Sequence, residues 1–140
     1  MTVKGPLTGV RLLDLSQAHA GPYGSQMLGD MGAEVIKIES PMGDMLRFPG
    51  TPDGGYYIKA LARNKKGIVL DLHTKTGKEA FYDLVKVSDV VYDNFRVGAM
   101  ERLGADYETL KTLNPKIISA SITGYGTSGP YAQYPSYAAI

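Results

Sequence analysis

The chain has 140 residues, enough for one domain with its own core. Its 44% hydrophobic and 21% charged residues are typical of a soluble globular protein, and a net charge of +1 indicates neither a nucleic-acid nor a membrane partner. The absence of cysteine excludes disulfides, and His19 and His73 lie too far apart to suggest a metal site. No apolar run reaches the roughly 20 residues of a membrane span, so a cytoplasmic location is expected.

The first half of the chain predicts two strands joined by a helix. The apolar run at residues 10–15 predicts a buried strand, and residues 35–38 predict a second. Between them, Pro22 suits a first helical turn and Gly32 a helix end. The large apolar residues of this helix share one face, which we expect to be buried; they are Tyr23, Met27, Leu28 and Met31. Residues 40–55 predict a long loop.

The second half continues the alternation. Strands are predicted at residues 68–72, 90–92 and 117–122. A helix after the third strand carries an apolar stripe of Ala80, Phe81, Leu84 and Val85, and short helices are predicted at residues 98–104 and 107–114. The alternation predicts an α/β fold, a Rossmann-like parallel sheet with helices on both faces, whose ligands bind beyond the carboxyl ends of the strands.

A strand, a glycine-containing turn and a helix resemble the start of a dinucleotide site, but the fingerprint is absent. That fingerprint needs G-x-G-x-x-G, whereas the glycines here are Gly21, Gly24, Gly29 and Gly32. Pro22 also removes an amide that a phosphate would use. Glu39 stands where a ribose-binding acid would be, although acids often end strands. We therefore expect no NAD site.

Three segments carry motifs in a specific order. They are PLTGVRLLDLSQAHAGPYGSQMLGDMGAEVIKIESPMGD, ARNKKGIVLDLHTKTGKEAF and SDVVYDNFRVGAMERLGADYETLKTLNPKIISASITGYGTSGPY. In this order and spacing the chain resembles the family III CoA-transferases, which include formyl-CoA and carnitine CoA-transferases and the α-methylacyl-CoA racemases. The resemblance covers nearly the whole chain. It implies that the turn after the first strand receives coenzyme A and not a nicotinamide dinucleotide.

The resemblance also implies residues that bind coenzyme A. Small residues in the turn let the pantetheine pass, His19 faces the acyl group, and Leu72 lines the adenine pocket. Cations at residues 63–66 and around NFRVGAMERLG suit the phosphates of CoA. The implied set is His19, Ala20, Lys65, Leu72, Asn94, Phe95, Arg96, Arg102 and Leu103.

The resemblance implies chemistry through an aspartyl-CoA intermediate, with CoA moving from an acyl-CoA thioester to a carboxylic acid. The matching aspartate lies in a segment beyond residue 140, so no catalytic residue is named. Asp14 and Asp71 are interpreted as structural. Racemases of the family use a histidine and an acid where this chain has Tyr137 and Ala138, which favours transferase over racemase.

Relatives form an interlocked homodimer, and the resemblance implies the same for a full-length protein. Residues 1–140 would then be the N-terminal, CoA-binding part of the large domain, without the smaller domain and the C-terminal part. Alone, this piece is expected to be inactive. The alternatives are a racemase, or a non-catalytic CoA-binding module if 140 residues are the whole gene product.

Overall fold

A computed structural model describes residues 5–47 and 55–136. Strands and helices alternate from the start of the chain to its last strand. Their order is β1 (Arg11–Asp14), α1 (Ala20–Asp30), β2 (Glu34–Glu39), a 3₁₀ turn (Met45–Arg47), α2 (Tyr56–Leu61), β3 (Lys65–Val69), α3 (Lys75–Lys86), β4 (Val90–Asp93), α4 (Ala99–Leu103), α5 (Tyr107–Leu113) and β5 (Ile118–Ser121).

All five strands form one parallel sheet in the order β3-β2-β1-β4-β5. Leu12 of β1 lies opposite Val35 of β2 on one side and Val90 of β4 on the other. The order reverses direction between β1 and β4, and ligands of such sheets bind in the crevice beyond the strand ends at this point. The predicted α/β class and parallel sheet are confirmed.

Helices cover both faces of the sheet, as predicted. On one face Leu13, Val91 and Ile38 pack with Phe81 and Val85 of α3 in the larger core. On the other face a smaller cluster beneath α1 contains Leu12, Ala33, Val35 and Tyr92. Successive residues of β1 thus point into different cores, as the two-residue period of a strand requires. The predicted apolar stripe of α3 is confirmed at Phe81 and Val85.

The prediction for the apolar face of α1 was wrong for three of its four residues. Tyr23 is 57% exposed, and Met27 and Met31 are also exposed, whereas Leu28 is partly buried against the smaller cluster. The face against the sheet consists of smaller and polar residues: Gly21, Pro22, Ser25, Gln26 and Gly29. Close approach explains this, since a Cβ at Gly21 or Gly24 would collide with side chains of the turn or the sheet. Space beneath the helix, and not apolarity, selects its buried residues.

Two further elements differ from prediction. The third strand spans Lys65–Val69, so it begins and ends three residues earlier than the predicted run at 68–72. Its bounds follow from its backbone pairing with residues 35–39 of β2. Helix α2 was not predicted, and it buries only Ile58 and Leu61. Part of the predicted loop at 40–55 lies outside the described residues. Among the residues described, no helix combines the length and apolarity needed to cross a bilayer.

Candidate functional site

The turn between β1 and α1 lies where the strand order reverses, and Asn94, just after β4, holds it. The Gln17 amide donates to Asn94 Oδ1, and Asn94 Nδ2 donates to the Gln17 carbonyl, both at 2.8 Å. This reciprocal pair ties together the carboxyl ends of the two strands that flank the crevice. Two of the predicted residues, Asn94 and Ala20, are thereby placed in neighbouring segments of one edge.

The same turn contains an unusual backbone conformation. Ala18 has a φ of +61°, in the left-handed region that residues with a Cβ rarely occupy. His19 follows at the start of α1, where its side chain makes no capping hydrogen bond. Its ring packs edge-on against Tyr57 at 4.6 Å between centroids. Strained backbone of this kind concentrates at functional sites, so the geometry adds Ala18 to the sequence-derived candidates. Tyr57 joins it only as the ring that contacts His19.

A buried charged network lies beneath the turn. Asp14 Oδ2 accepts from Ser25 Oγ at 2.5 Å and from Lys65 Nζ at 3.0 Å. Lys65 Nζ also donates to the Pro22 carbonyl at 2.8 Å and contacts Ser25 Oγ at 2.7 Å. The side chains of Asp14 and Lys65 are 0% and 1% exposed. Burial lowers the pKa of Lys65, and the Asp14 carboxylate opposes that shift.

This network bears on the expected CoA contact of Lys65. Its ammonium already has three partners inside the protein and does not face solvent. Such a placement argues for a structural lysine, and a contact with CoA stays a prediction that the geometry does not support. Asp14, by contrast, has the structural role interpreted from the sequence.

The neighbouring cations also have protein partners. Arg63 Nη2 lies 2.6 Å from Asp30 Oδ2, and Lys66 Nζ lies 2.5 Å from Glu34 Oε1. These cations lie at the amino end of β3, whereas ligands of parallel sheets bind beyond the carboxyl ends. The predicted cluster of cations around residues 63–66 is therefore not gathered at the ligand edge.

The segment after β4 does lie at that edge. Phe95 and Arg96 line a cavity of about 220 Å³, together with Asp93, Gly98 and hydroxyl groups of the chain around β5. Arg102 is exposed on α4, and its guanidinium lies near Gly98. Glu101 and Asp106 line the same cavity beside Asp93, so the cavity itself is not a cationic pocket. The cations of this segment are Arg96, at the cavity wall, and Arg102, exposed on α4.

Two of the expected residues pack into the larger core. Leu72, just beyond β3, is 7% exposed and lies in the cluster around Phe81. Leu103 is partly buried against the same cluster. Their proposed contacts with the nucleotide stay predictions. Tyr137 and Ala138, the residues that bear on the racemase alternative, lie outside the described residues.

The acid at the floor of the cavity, Asp93, is buried and accepts hydrogen bonds. Ser121 Oγ donates to Asp93 Oδ2, and the Phe95 amide donates to Oδ1 at 2.9 Å. Burial raises the pKa of Asp93 above its ordinary value, and these two hydrogen bonds only partly counteract it. The sequence gives no sign of this burial, because it depends on the packing of β4 against β5.

We expect Asp93→Asn to change the pH dependence of stability. A carboxyl with a raised folded-state pKa binds more protons when folded, so its contribution to stability falls as pH rises through the interval between the two pKa values. The variant should therefore gain stability relative to wild type as the pH rises above about 4, the ordinary pKa of an aspartate. Denaturant unfolding across that range measures it. A pH-independent difference would contradict the assignment.

The fold defines a Rossmann-like α/β domain with a candidate ligand edge at β1 and β4, and the comparisons with known proteins identify its class. The sequence pattern of CoA-transferase family III matches residues 7–140. The chain belongs to this family.

Relatives of known activity agree with that class. A succinate–glutarate CoA-transferase from Agrobacterium fabrum is 45% identical, covering 96% of this chain and 36% of the relative. An acetyl-CoA:oxalate CoA-transferase from Acetobacter aceti is 42% identical, covering 98% of this chain and 36% of the relative. A CaiB/BaiF family protein of solved structure from Brucella suis gives a TM-score of 0.89 at 42% identity, covering 96% of this chain and 37% of that one. The chain spans just over a third of their length.

Proposed function

We propose that the protein containing this chain is a CoA-transferase that moves CoA from an acyl-CoA thioester to a carboxylic acid. The observation that carries the proposal is the joined edge of β1 and β4, in a chain of CoA-transferase family III. Coenzyme A would lie across this edge, with its acyl end near Ala20 and His19 and its phosphates near Arg96 and Arg102. The proposed location is cytoplasmic.

In the proposed mechanism an aspartate outside residues 1–140 is the nucleophile. Its carboxylate attacks the donor thioester and releases CoA thiolate, leaving a mixed anhydride. The thiolate then attacks the aspartyl carbonyl, releases the donor acid and forms an aspartyl-CoA thioester. The acceptor carboxylate attacks this thioester to give a second anhydride, and the thiolate takes the new acyl group and regenerates the aspartate.

The proposed pocket is completed by chain beyond residue 140, in an interlocked homodimer. The share of each relative that this chain matches, 36% in both cases, supports a larger protein. Residues 5–47 and 55–136 would supply the nucleotide side of the pocket. The remaining chain would supply the nucleophile and much of the acid-binding side, so residues 1–140 alone would be inactive.

Activity can be tested with substrates suggested by the relatives' names. The purified full-length protein is mixed with acetyl-CoA and oxalate, or with succinyl-CoA and glutarate. The new thioester is measured by chromatography. Transfer supports the proposal. Exchange of the α-proton of a 2-methylacyl-CoA in deuterated water, without transfer, would replace it with the racemase alternative.

Binding gives an independent test at Arg102. Calorimetric titration should show binding of CoA and no binding of NADH. The Arg102→Ala variant should bind CoA about tenfold more weakly, because a charge-assisted hydrogen bond is lost at an exposed site. Arg63→Ala is the matched control, since Arg63 is paired with Asp30 at the other end of the strands. A loss of affinity in Arg63→Ala with none in Arg102→Ala would move the phosphates to that end.

A further inference from the structure

The loop after β2 carries a buried acid that reaches the turn after β1. Asp44 is 1% exposed. Its Oδ1 accepts from the Leu46 amide at 3.0 Å and from the Ala18 amide at 3.4 Å. Its Oδ2 lies 3.2 Å from Lys37 Nζ and accepts no hydrogen bond from the described residues. One side chain thus connects the loop at 40–47 with the residue of positive φ.

Lys37 holds the other end of the same turn. It extends from β2, its side chain is 3% exposed, and its Nζ donates to the Ser16 carbonyl at 2.7 Å. The ion pair therefore contacts the backbone at Ser16 and Ala18, and Asn94 contacts Gln17 between them. Three consecutive residues are each fixed by a side chain from elsewhere in the fold.

The acid itself is anchored to the end of β2. Glu39 accepts two hydrogen bonds from Arg47, at 2.7 and 2.8 Å, and a third from the Asp44 amide at 3.2 Å. The loop therefore cannot move Asp44 without breaking contacts at the strand end. This makes the ion pair a fixed support for the turn.

Stability alone does not account for such a pair. Removing two charges from water costs several kcal/mol per ion, roughly as much as their attraction returns. The left-handed backbone of Ala18 adds a cost of about 1–2 kcal/mol, and strained residues persist where their surroundings determine the conformation. The contacts of Lys37 and Asp44 fix the backbone conformation at Ala18, the residue before His19.

We propose that Lys37 and Asp44 are positioning residues that hold the turn at 16–19 in the conformation that receives the acyl end of CoA. They act through the backbone of Ser16 and Ala18 and do not touch the substrate. The catalytic part of this inference rests on the proposed function. Asp44 is thereby a determinant of turnover and not of nucleotide affinity, because the proposed phosphate contacts come from the segment after β4.

The experiment uses Asp44→Asn in the full-length protein, with Asp30→Asn as the matched control on an exposed ion pair. The asparagine keeps the Oδ1 acceptor and removes the charge that balances Lys37. Three quantities are measured: exchange of the backbone amides at 16–20, the Kd for CoA, and kcat for the transfers described above. We expect amide exchange to become at least tenfold faster and kcat to fall at least tenfold, with Kd changing less than threefold. The control should alter none of them.

A second variant guards against a general loss of folding. Glycine adopts a positive φ without the Cβ penalty, so Ala18→Gly in the Asp44→Asn background should recover part of kcat. Unchanged amide exchange in Asp44→Asn would overturn the positioning role. Faster exchange with unchanged kcat would overturn the link between this ion pair and the acyl end of CoA. A fall in CoA affinity that matches the fall in kcat would indicate general damage to the site, and it would also overturn the positioning role. Absence of CoA binding and transfer in wild type would instead overturn the proposed function.

Discussion

Replacement of Asp14 by alanine should lower the free energy of unfolding by about 3–5 kcal/mol, the usual cost of leaving a buried charge without its partner. The Lys65 ammonium, 1% exposed, would keep only the Pro22 carbonyl and Ser25 hydroxyl as neutral partners. Ser25 and Ser16 would lose an acceptor as well. Denaturant unfolding monitored by circular dichroism measures the change.

The matched control is Asp83→Ala. Asp83 forms an exposed pair with Lys86 within α3, at 2.8 Å, and exposed pairs of this kind contribute under about 1 kcal/mol. Adding Lys65→Met to Asp14→Ala should recover part of the lost stability, because the unpaired charge is then gone. Further destabilisation in that double variant would show that the lysine contributes by its hydrogen bonds and not by its charge.

The parts of the fold that the sequence predicted are those with strong local patterns. The apolar runs around Leu13 and Val91 lie in central strands buried on both sides, so the residues between the strand ends are apolar on both faces. The stripe of α3 follows a single helical period to Phe81 and Val85. The burial of such elements can be predicted from their own residues, and these elements are enough to predict a parallel sheet.

The elements that were missed depend on tertiary contacts. Lys65 reads as a surface cation, and only its proximity to Asp14, 51 residues earlier in the chain, makes it a buried one. Strand β3 is at the sheet edge, where Ile68 and Val69 remain exposed, so apolarity did not mark its bounds. Helix α2 buries too few residues to give a periodic signal.

The candidate site divides in the same way. The motif after β4 supplied Asn94, Phe95 and Arg96, which the structure places at the ligand edge. The supports of the turn, Lys37 and Asp44, had no sequence signal as binding residues. A lysine within the predicted strand at 35–38 was nevertheless a clue, since a charge on a central strand needs a buried partner.

The close approach of α1 to the sheet predicts that glycine to alanine at position 24 destabilises the fold, whereas the same change in an open helix is stabilising. A Cβ there would lie 2.4 Å from Tyr92 Oη and 3.4 Å from Cζ. In an open helix interior, glycine to alanine stabilises by about 1 kcal/mol, but overpacking costs about 1–3 kcal/mol. We therefore expect Gly24→Ala to lower the free energy of unfolding by up to about 2 kcal/mol, the difference of these two effects.

Removing the hydroxyl should reverse that sign. In Tyr92→Phe the nearest atom to the new methyl would be the ring carbon at 3.4 Å, an ordinary contact. Gly24→Ala in this background should then stabilise by up to about 1 kcal/mol, so the double-mutant cycle should show a coupling of about 1–3 kcal/mol, the overpacking cost. Gly29→Ala, whose Cβ would meet no atom closer than 3.4 Å, is the control within the same helix and should not be destabilising. Equal effects of Gly24→Ala in both backgrounds would mean that helix α1 can move away from the sheet, and that the turn it follows is held less rigidly than its contacts indicate.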